Sequence, residues 1–300
     1  MAVFNEERFL AQALDSVFAQ GYSELEVIVS DDGSTDATAR IAGDYAARYP
    51  DRVRVVRGER NQGKAFALNR ALDRYRGELI AWLDGDDVML PGKLERQVQA
   101  LERAPEAVGC VHDAEMFDAD ADQALGRFSE LVNGGPLRSG GVELWFDPTY
   151  RMLPSATMIR SSARPAHGFD ERLWFAHDWL FDIEVFRSGR CVALDEVLVR
   201  YRRHGANLTK EAARRGIVFE EALMAMAVVE ARYPELAGKV KGMRTALLMG
   251  EARRHASERA WTTAARYGAA ALVDGGLGGG ARVARHVVAA RVHAQDSDRH

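Results

Sequence analysis

Cysteine is scarce in this sequence: only Cys110 and Cys191 occur among 300 residues, and both stand in apolar, strand-like surroundings. A disulfide framework or a cysteine-based metal site would need more cysteines than this. The sequence therefore predicts a protein of a reducing compartment, the cytoplasm.

Long apolar runs are missing as well. No run approaches the roughly 20 residues that span a bilayer, and the first residues lack the basic start and apolar stretch of a signal peptide. The formal net charge is −4, so the chain has no general basic field and nucleic acid is not expected as a partner. Phosphate would have to be bound locally, and contact with the inner face of the membrane would have to be peripheral.

Hydrophobic residues make up 47% of the chain, enough for one large domain and a smaller appendage. After a short opening strand over residues 2–4, Val- and Ile-rich runs alternate with segments of helical periodicity. The predicted strands are residues 25–30, 53–56 and 79–83, and the predicted helices are residues 5–20 with Asn5 as N-cap, 35–49, 63–75 and 91–103. This alternation predicts an α/β fold with a mostly parallel, doubly wound sheet.

Predicted strands and helices alternate less regularly in the second half of the chain. Further predicted elements are strands at 108–117 and 192–201, a segment at 154–159 and a helix at 177–187. Beyond Asn207 the chain becomes Ala-, Arg- and Met-rich with helical periodicity to about Val273. We therefore predict a domain over residues 1–207, with halves 1–105 and 106–207, and a helical C-terminal region over 208–300 with a disordered end.

The helical region carries two alternatives. Its apolar segments 223–229 and 246–249 are typical of core packing or of a homodimer interface. Arg282, Arg285 and Arg291, spaced among Val and Ala, form either a solvated face or an amphipathic surface that lies on anionic lipid.

The strongest chemical signal follows a buried strand, where Asp84, Asp86 and Asp87 stand within four residues. Three carboxylates so close repel one another unless exposure or a cation relieves them. Mg²⁺ or Mn²⁺ is the cation expected beside a phosphorylated substrate, whereas a solvated acidic turn is the alternative. A second acidic turn, Asp31-Asp32, also follows a strand, so both turns are expected at one cleft.

These motifs, taken in order, resemble the family-two glycosyltransferases, which have a GT-A (Rossmann-like) fold. The matching segments are Ala2 to Glu6, Asp31 to Asp36, Asn61 to Lys64, Leu83 to Asp87, Phe169 to Glu171, His177 to Trp179 and Tyr201 to His204. The resemblance covers roughly residues 2–207 and implies an inverting transferase that moves a sugar from a nucleotide diphosphate sugar, a UDP-sugar by default. It makes 1–105 the nucleotide-binding half and 106–207 the acceptor half.

The resemblance also implies roles for particular residues on the donor side. Asp32 is expected to hydrogen-bond the nucleobase, with Val3 and Phe4 packed beside it and Asn5 and Glu7 in the same pocket. Gly63 would let the backbone approach the nucleotide. Lys64 would contact phosphate, unless it is an exposed lysine at a helix start.

Metal and catalytic roles follow in the same way. Asp86 is the expected principal metal ligand, Asp84 binds the ribose or completes the metal shell, Asp87 supports the site or contacts the sugar, and His204 offers an imidazole. Asp178 is the expected general base, although His177 stands where the family usually has Glu. Arg202 and Arg203 face phosphate or form a solvated basic turn.

The family resemblance alone implies the acceptor, which is expected to be a carbohydrate or lipid-linked hydroxyl in bacterial polysaccharide or glycolipid synthesis. Two other functions stay open at this point. One is a nucleotidyltransferase acting on sugar phosphates, which normally has a glycine-rich loop after its first strand. The other is a non-catalytic relative that binds a partner transferase, and the short opening strand leaves open whether the N-terminus is truncated.

Overall fold

A computed structural model describes residues 1–205, 207–257 and 260–276. It divides the chain into two units, one of Met1–Trp145 and Thr149–Lys210, the other of Phe146–Pro148 and the described residues from Glu211 onward. The predicted disordered end and the basic surface of Arg282, Arg285 and Arg291 lie outside the described residues. The predicted domain limit at residue 207 stays a prediction.

The first unit opens with a three-stranded parallel sheet in the order β1, β2, β3. Its strands are β1 (Ala2–Val3), β2 (Val27–Asp31) and β3 (Val53–Arg57), and the helices that follow them are α1 (Leu10–Phe18), α2 (Thr38–Arg48) and α3 (Lys64–Leu72). Every residue of β2 is buried, as expected for the central strand of a parallel sheet covered by helices.

A second, six-stranded sheet has the order β4-β8-β6-β9-β5, with β7 paired to β6. The strands are β4 (Leu79–Ala81), β5 (Val88–Met89), β6 (Ala107–Asp118), β7 (Ala124–Arg127), β8 (Thr157–Arg160) and β9 (Arg190–Arg203), and the helices are α4 (Lys93–Arg103), α5 (Phe128–Asn133) and α6 (His177–Phe186). Three 3₁₀ turns lie at Val142–Phe146, Pro154–Ala156 and Ser161–Ala163. Strands β6 and β9 pair in parallel, whereas β8 runs antiparallel between β4 and β6.

The predicted α/β class is confirmed, but two local expectations were wrong. The first helix begins at Leu10 rather than at Asn5. Asn5 has a left-handed backbone (φ 53°), and its side chain accepts a hydrogen bond from the Thr35 amide at 2.9 Å instead of capping α1. The strand predicted over residues 79–83 ends at Ala81, where its pairing with β8 stops.

The second unit is helical, as predicted. It contains most of α7 (Leu208–Arg215), then α8 (Val218–Arg232), α9 (Ala237–Ser257) and α10 (Trp261–Gly276), with a 3₁₀ turn at Pro234–Leu236. Arg244 on α9 pairs with Asp274 at 2.7 Å and Glu230 at 2.9 Å, and Met226 and Val229 are fully buried. In the part of the chain that the structure describes, no helix is both long and apolar enough to cross a bilayer.

Candidate active site

The acidic turn after β4 gathers three carboxylates. Asp84, Asp86 and Asp87 each offer one oxygen, and these oxygens lie within 4.8 Å of one another. Ser155 holds the turn from one side, because its hydroxyl accepts the Asp84 amide at 3.0 Å and also bonds the Asp87 carboxylate. Burial, together with the charges of Asp86 and Asp84, raises the pKa of Asp87 well above its usual value. The turn is therefore a place where positive charge is strongly favoured.

The end of β9 holds the same turn from the other side. The Arg202 amide donates to Asp87 Oδ1 at 3.0 Å, and Arg202 Nε donates to the Asp86 carbonyl at 2.6 Å. The guanidinium is buried over the rings of Phe9 and Phe117. The expectation of a solvated turn at Arg202 was therefore wrong: this arginine supports the acidic turn. Its expected phosphate contact stays a prediction.

His204 completes a set of donor atoms that suits a divalent cation. Its Nε2 lies 2.8 Å from Asp86 Oδ2. Neighbouring ligands of an octahedral ion, each about 2.1 Å from the metal, are about 3 Å apart. Carboxylate oxygens with one imidazole nitrogen suit Mn²⁺, and the oxygens alone suit Mg²⁺. The residues predicted as metal ligands thus fit such an ion.

Lys64 lies at the start of α3 and contacts this cluster. Its Nζ is 2.7 Å from Asp84, and its side chain is only 21% exposed. Burial alone would lower the pKa of Lys64, but the neighbouring Asp84, Asp178 and Asp86 raise it above its usual value. Lys64 is therefore a fixed cation in the cluster and not a solvated lysine at a helix start.

The predicted nucleobase residue Asp32 is buried and already bonded within the chain. Its Oδ2 accepts the amides of Gln62 at 2.9 Å and Gly63 at 2.7 Å, and its Oδ1 accepts Arg70 at 2.6 Å. Gly63 has φ 109° and ψ 160°, a conformation that glycine alone adopts readily. Arg70 went unnoticed in the sequence, where it reads as one more polar residue of α3.

The segment after β1 holds several residues that were expected near the donor. Val3 is buried in the core, and Phe4 is 38% exposed. Glu7 accepts the Ala37 amide at 2.9 Å beside the start of α2, and its expected place in the donor pocket stays a prediction. Glu6 faces the acidic turn instead: burial, together with the charges of Asp86 and Asp84, raises its pKa to about 8.

The expected base Asp178 lies in the first turn of α6. A cleft brings it together with Lys64 and Asp84, and the walls include Trp82, Leu83, Pro154, Phe169, His177, Phe181 and Asp182. His177 is buried, and burial lowers its pKa, so it is a neutral neighbour of Asp178.

Asp182, one helical turn beyond Asp178, was not identified from the sequence. It accepts Trp145 Nε1 at 3.3 Å, and burial and the charge of Asp178 raise its pKa to about 8. Its spacing of four residues from Asp178 on a predicted helix was the signal that could have found it.

Comparison with known sequences identifies the family to which these motifs belong. The model of "Glycosyl transferase family 2" matches residues 1–163. An uncharacterized glycosyltransferase of Nostoc is 31% identical over 216 residues, which are 70% of this chain and 65% of that protein. The chain thus spans just under two thirds of that relative's length.

Solved structures of the same architecture support the fold. TarS residues 1–349 from S. aureus, in complex with UDP-GlcNAc, superimposes with a TM-score of 0.64 at 20% identity over 85% of this chain and 71% of that one. The mannosyltransferase PcManGT from Pyrobaculum calidifontis, in complex with GDP-Man and Mn²⁺, has a TM-score of 0.60 at 20% identity over 98% of this chain and 78% of that one. These likenesses confirm the predicted fold.

Proposed function

The chain belongs to glycosyl transferase family 2, and from that membership we propose that it is an inverting enzyme which transfers a sugar from a nucleotide diphosphate sugar to an acceptor hydroxyl. A UDP-sugar is the first candidate donor. The acceptor we propose is a carbohydrate or lipid-linked hydroxyl of bacterial polysaccharide or glycolipid synthesis.

One observation carries this proposal: a single cleft is lined by Lys64, Asp84 and Asp178. A cation and an acidic turn suit a diphosphate with its metal, and a separate carboxylate suits an acceptor hydroxyl. Apart from His177 and Asp182, the other walls of the cleft are mainly apolar side chains, among them Trp82, Phe169 and Phe181. That surface suits a neutral hydroxyl better than an anionic group.

In the proposed reaction the acceptor oxygen bonds to the anomeric carbon as the bond from that carbon to the diphosphate oxygen breaks on the opposite face. The configuration at the carbon inverts. Asp178 accepts the proton that the hydroxyl loses, and the nucleoside diphosphate leaves with the electron pair of the broken bond. Lys64 places positive charge where the leaving oxygen gains negative charge.

A divalent cation, Mg²⁺ or Mn²⁺, would be held by Asp86 with Asp84 and His204, and Asp87 would support them. Such an ion supplies positive charge that stabilises the departing diphosphate. The close set of carboxylates and the short distance from His204 to Asp86 support this assignment.

Calorimetric titration with UDP, with and without Mn²⁺, tests the proposal. We expect wild type to bind UDP at least 10-fold more tightly with Mn²⁺, and Asp86→Ala to lose that dependence. Asp44→Ala, which removes an exposed carboxylate paired with Arg40, is the matched control and should behave as wild type. GDP and dTDP are titrated alongside, because the two solved relatives carry different nucleotides. A wild type that binds none of the three with Mn²⁺ would contradict the proposal.

A further inference from the structure

One amide side chain connects the two parts of the proposed metal site. Asn207 follows β9 and directly precedes α7, and it is 5% exposed. Its Nδ2 donates to Asp86 Oδ2 at 3.3 Å and to the Arg202 carbonyl at 3.0 Å, and its Oδ1 accepts the His204 amide at 2.7 Å. Both hydrogens of the amide and its oxygen are therefore used.

The oxygen that Asn207 contacts is the one that faces His204. Asp86 Oδ2 lies 2.8 Å from His204 Nε2 and also accepts from Asn207. Asn207 thus fixes the backbone that bears the imidazole and, at the same time, the carboxylate oxygen opposite it. The ring of Phe9, 5.0 Å from the imidazole, limits its rotation from a third direction.

We propose that Asn207 is a positioning residue of the cation site, which holds His204 beside Asp86 so that both can bind one divalent ion. This inference rests on the proposed function, because it assumes that the acidic turn binds a metal. Side chains that orient metal ligands by hydrogen bonds typically contribute 10–100-fold to metal affinity.

Arg202 does not replace Asn207 in this role. The side chain of Arg202 contacts the Asp86 carbonyl, Gln12 Oε1 and the ring of Phe9. It supports the acidic turn, whereas the Asn207 side chain bonds both the His204 backbone and the Asp86 carboxylate. Loss of the Asn207 amide should therefore loosen His204 while leaving the turn in place.

The test is Mn²⁺ titration of the full chain in the presence of UDP, with wild type, Asn207→Ala, His204→Ala and the double variant. We expect Asn207→Ala to weaken Mn²⁺ binding by about 10–100-fold. In the His204→Ala background the same change should cost less than in wild type, about 3-fold, because Asn207 then has no imidazole to position and only its contact with Asp86 is lost. Asn133→Ala is the matched control: Asn133 clamps the Arg151 backbone with two hydrogen bonds at 2.8 and 3.0 Å, and its loss should leave Mn²⁺ affinity unchanged.

A spectroscopic signature separates positioning from general loss of structure. Electron spin-echo modulation of bound Mn²⁺ should show a histidine nitrogen in wild type and a weaker signal in Asn207→Ala at unchanged melting temperature. If that variant is unfolded, Asn207→Ser, whose hydroxyl can accept the His204 amide and donate a hydrogen bond, should be folded and keep the nitrogen signal. Wild-type affinity in Asn207→Ala, additive losses in the double variant, or a folded Asn207→Ser without the nitrogen signal would each overturn the inference. Absence of Mn²⁺ binding by wild type would instead refute the proposed function.

Discussion

Asp178 and Asp182 are two carboxyl groups on one helix that line one cleft in different environments. Asp182 accepts an indole N–H and has a raised pKa of about 8, so it is largely protonated at neutral pH. Asp178 accepts the amide of Trp179 at 2.7 Å and lies near Lys64. Because Asp182 already holds a proton, it is not available as the base, and Asp178 remains the residue that we propose for that role.

Replacement of Asp178 by Asn keeps the size of the side chain and removes its ability to take a proton. We expect turnover, measured with whichever nucleotide sugar the wild type uses, to fall about 10²–10⁴-fold. The affinity for UDP should change less than about 3-fold, because the proposed role of Asp178 lies in the chemical step. Calorimetry and a coupled assay for released UDP measure the two quantities. Normal turnover by this variant would remove Asp178 from the mechanism, and Asp195→Asn, at an exposed carboxylate paired with Arg127, serves as control.

The residues of the site that belong to a recognisable motif were predicted from the sequence, and those that do not were missed. The carboxylates of the acidic turn and Lys64 come together as expected, because they follow strand ends and helix starts that the sequence pattern locates. Glu6 and Arg70 were missed because the direction of a side chain depends on local backbone angles, such as the left-handed Asn5 before Glu6. Sequence spacing carries little information about those angles.

At the scale of elements, α3 is tied to the segment that leads into α6. Asn69 on α3 accepts the Phe169 amide at 2.8 Å and donates to the Phe169 carbonyl at 3.0 Å. Gly168, with φ 72°, lies so close that an added Cβ would be 2.3 Å from Asn69 Oδ1. These two hydrogen bonds fix the position of the helix that bears Lys64 relative to the segment that leads to Asp178.

Gly168→Ala should therefore destabilise the protein by about 1–3 kcal/mol, through backbone strain and the displaced Asn69 amide. Gly43→Ala is the matched control, since Gly43 lies in α2 with open space where a Cβ would be, and it should stabilise by about 0.5–1 kcal/mol. Urea unfolding of both variants measures the difference. Equal stabilities for the two would show that the Asn69 hydrogen bonds contribute nothing.

Strand and helix order was predictable because burial imposes periodicity on each element separately. The antiparallel β8 between β4 and β6 was not predicted, because pairing partners distant in sequence leave no local pattern. Strand β4 ends two residues earlier than expected: Trp82 and Leu83 are buried, as strand residues would be, but the pairing of β4 with β8 stops at Ala81.

At the scale of the whole molecule, a buried lysine makes stability depend on pH. Lys93 is 0% exposed, and its Nζ donates to Gln97 Oε1 at 2.9 Å. Burial lowers its pKa from 10.5 to about 7. Between these two pH values the unfolded chain binds a proton that the folded protein has lost, so stability rises with pH across this window and is lost as pH falls through about 7.

We expect Lys93→Met to be more stable than wild type at pH 7. The difference between their free energies of unfolding should be smaller by about 1–3 kcal/mol at pH 9. Urea unfolding at both pH values measures this difference. The proteins compared are wild type, Lys93→Met and Lys239→Met, a control at an exposed lysine. A difference that is independent of pH would mean that Lys93 is charged equally in the folded and unfolded chains.

The bonded state of Asp32 has a consequence for the rate at which a nucleotide can bind. Asp32 is 2% exposed and already accepts from Arg70 and from the amides of Gln62 and Gly63, so a base can bond this carboxylate only after these neighbouring groups move. Association would then comprise a diffusional encounter followed by an exchange of hydrogen bonds within the protein. The observed binding rate would level off at high nucleotide concentration, at a plateau that is the rate of that exchange.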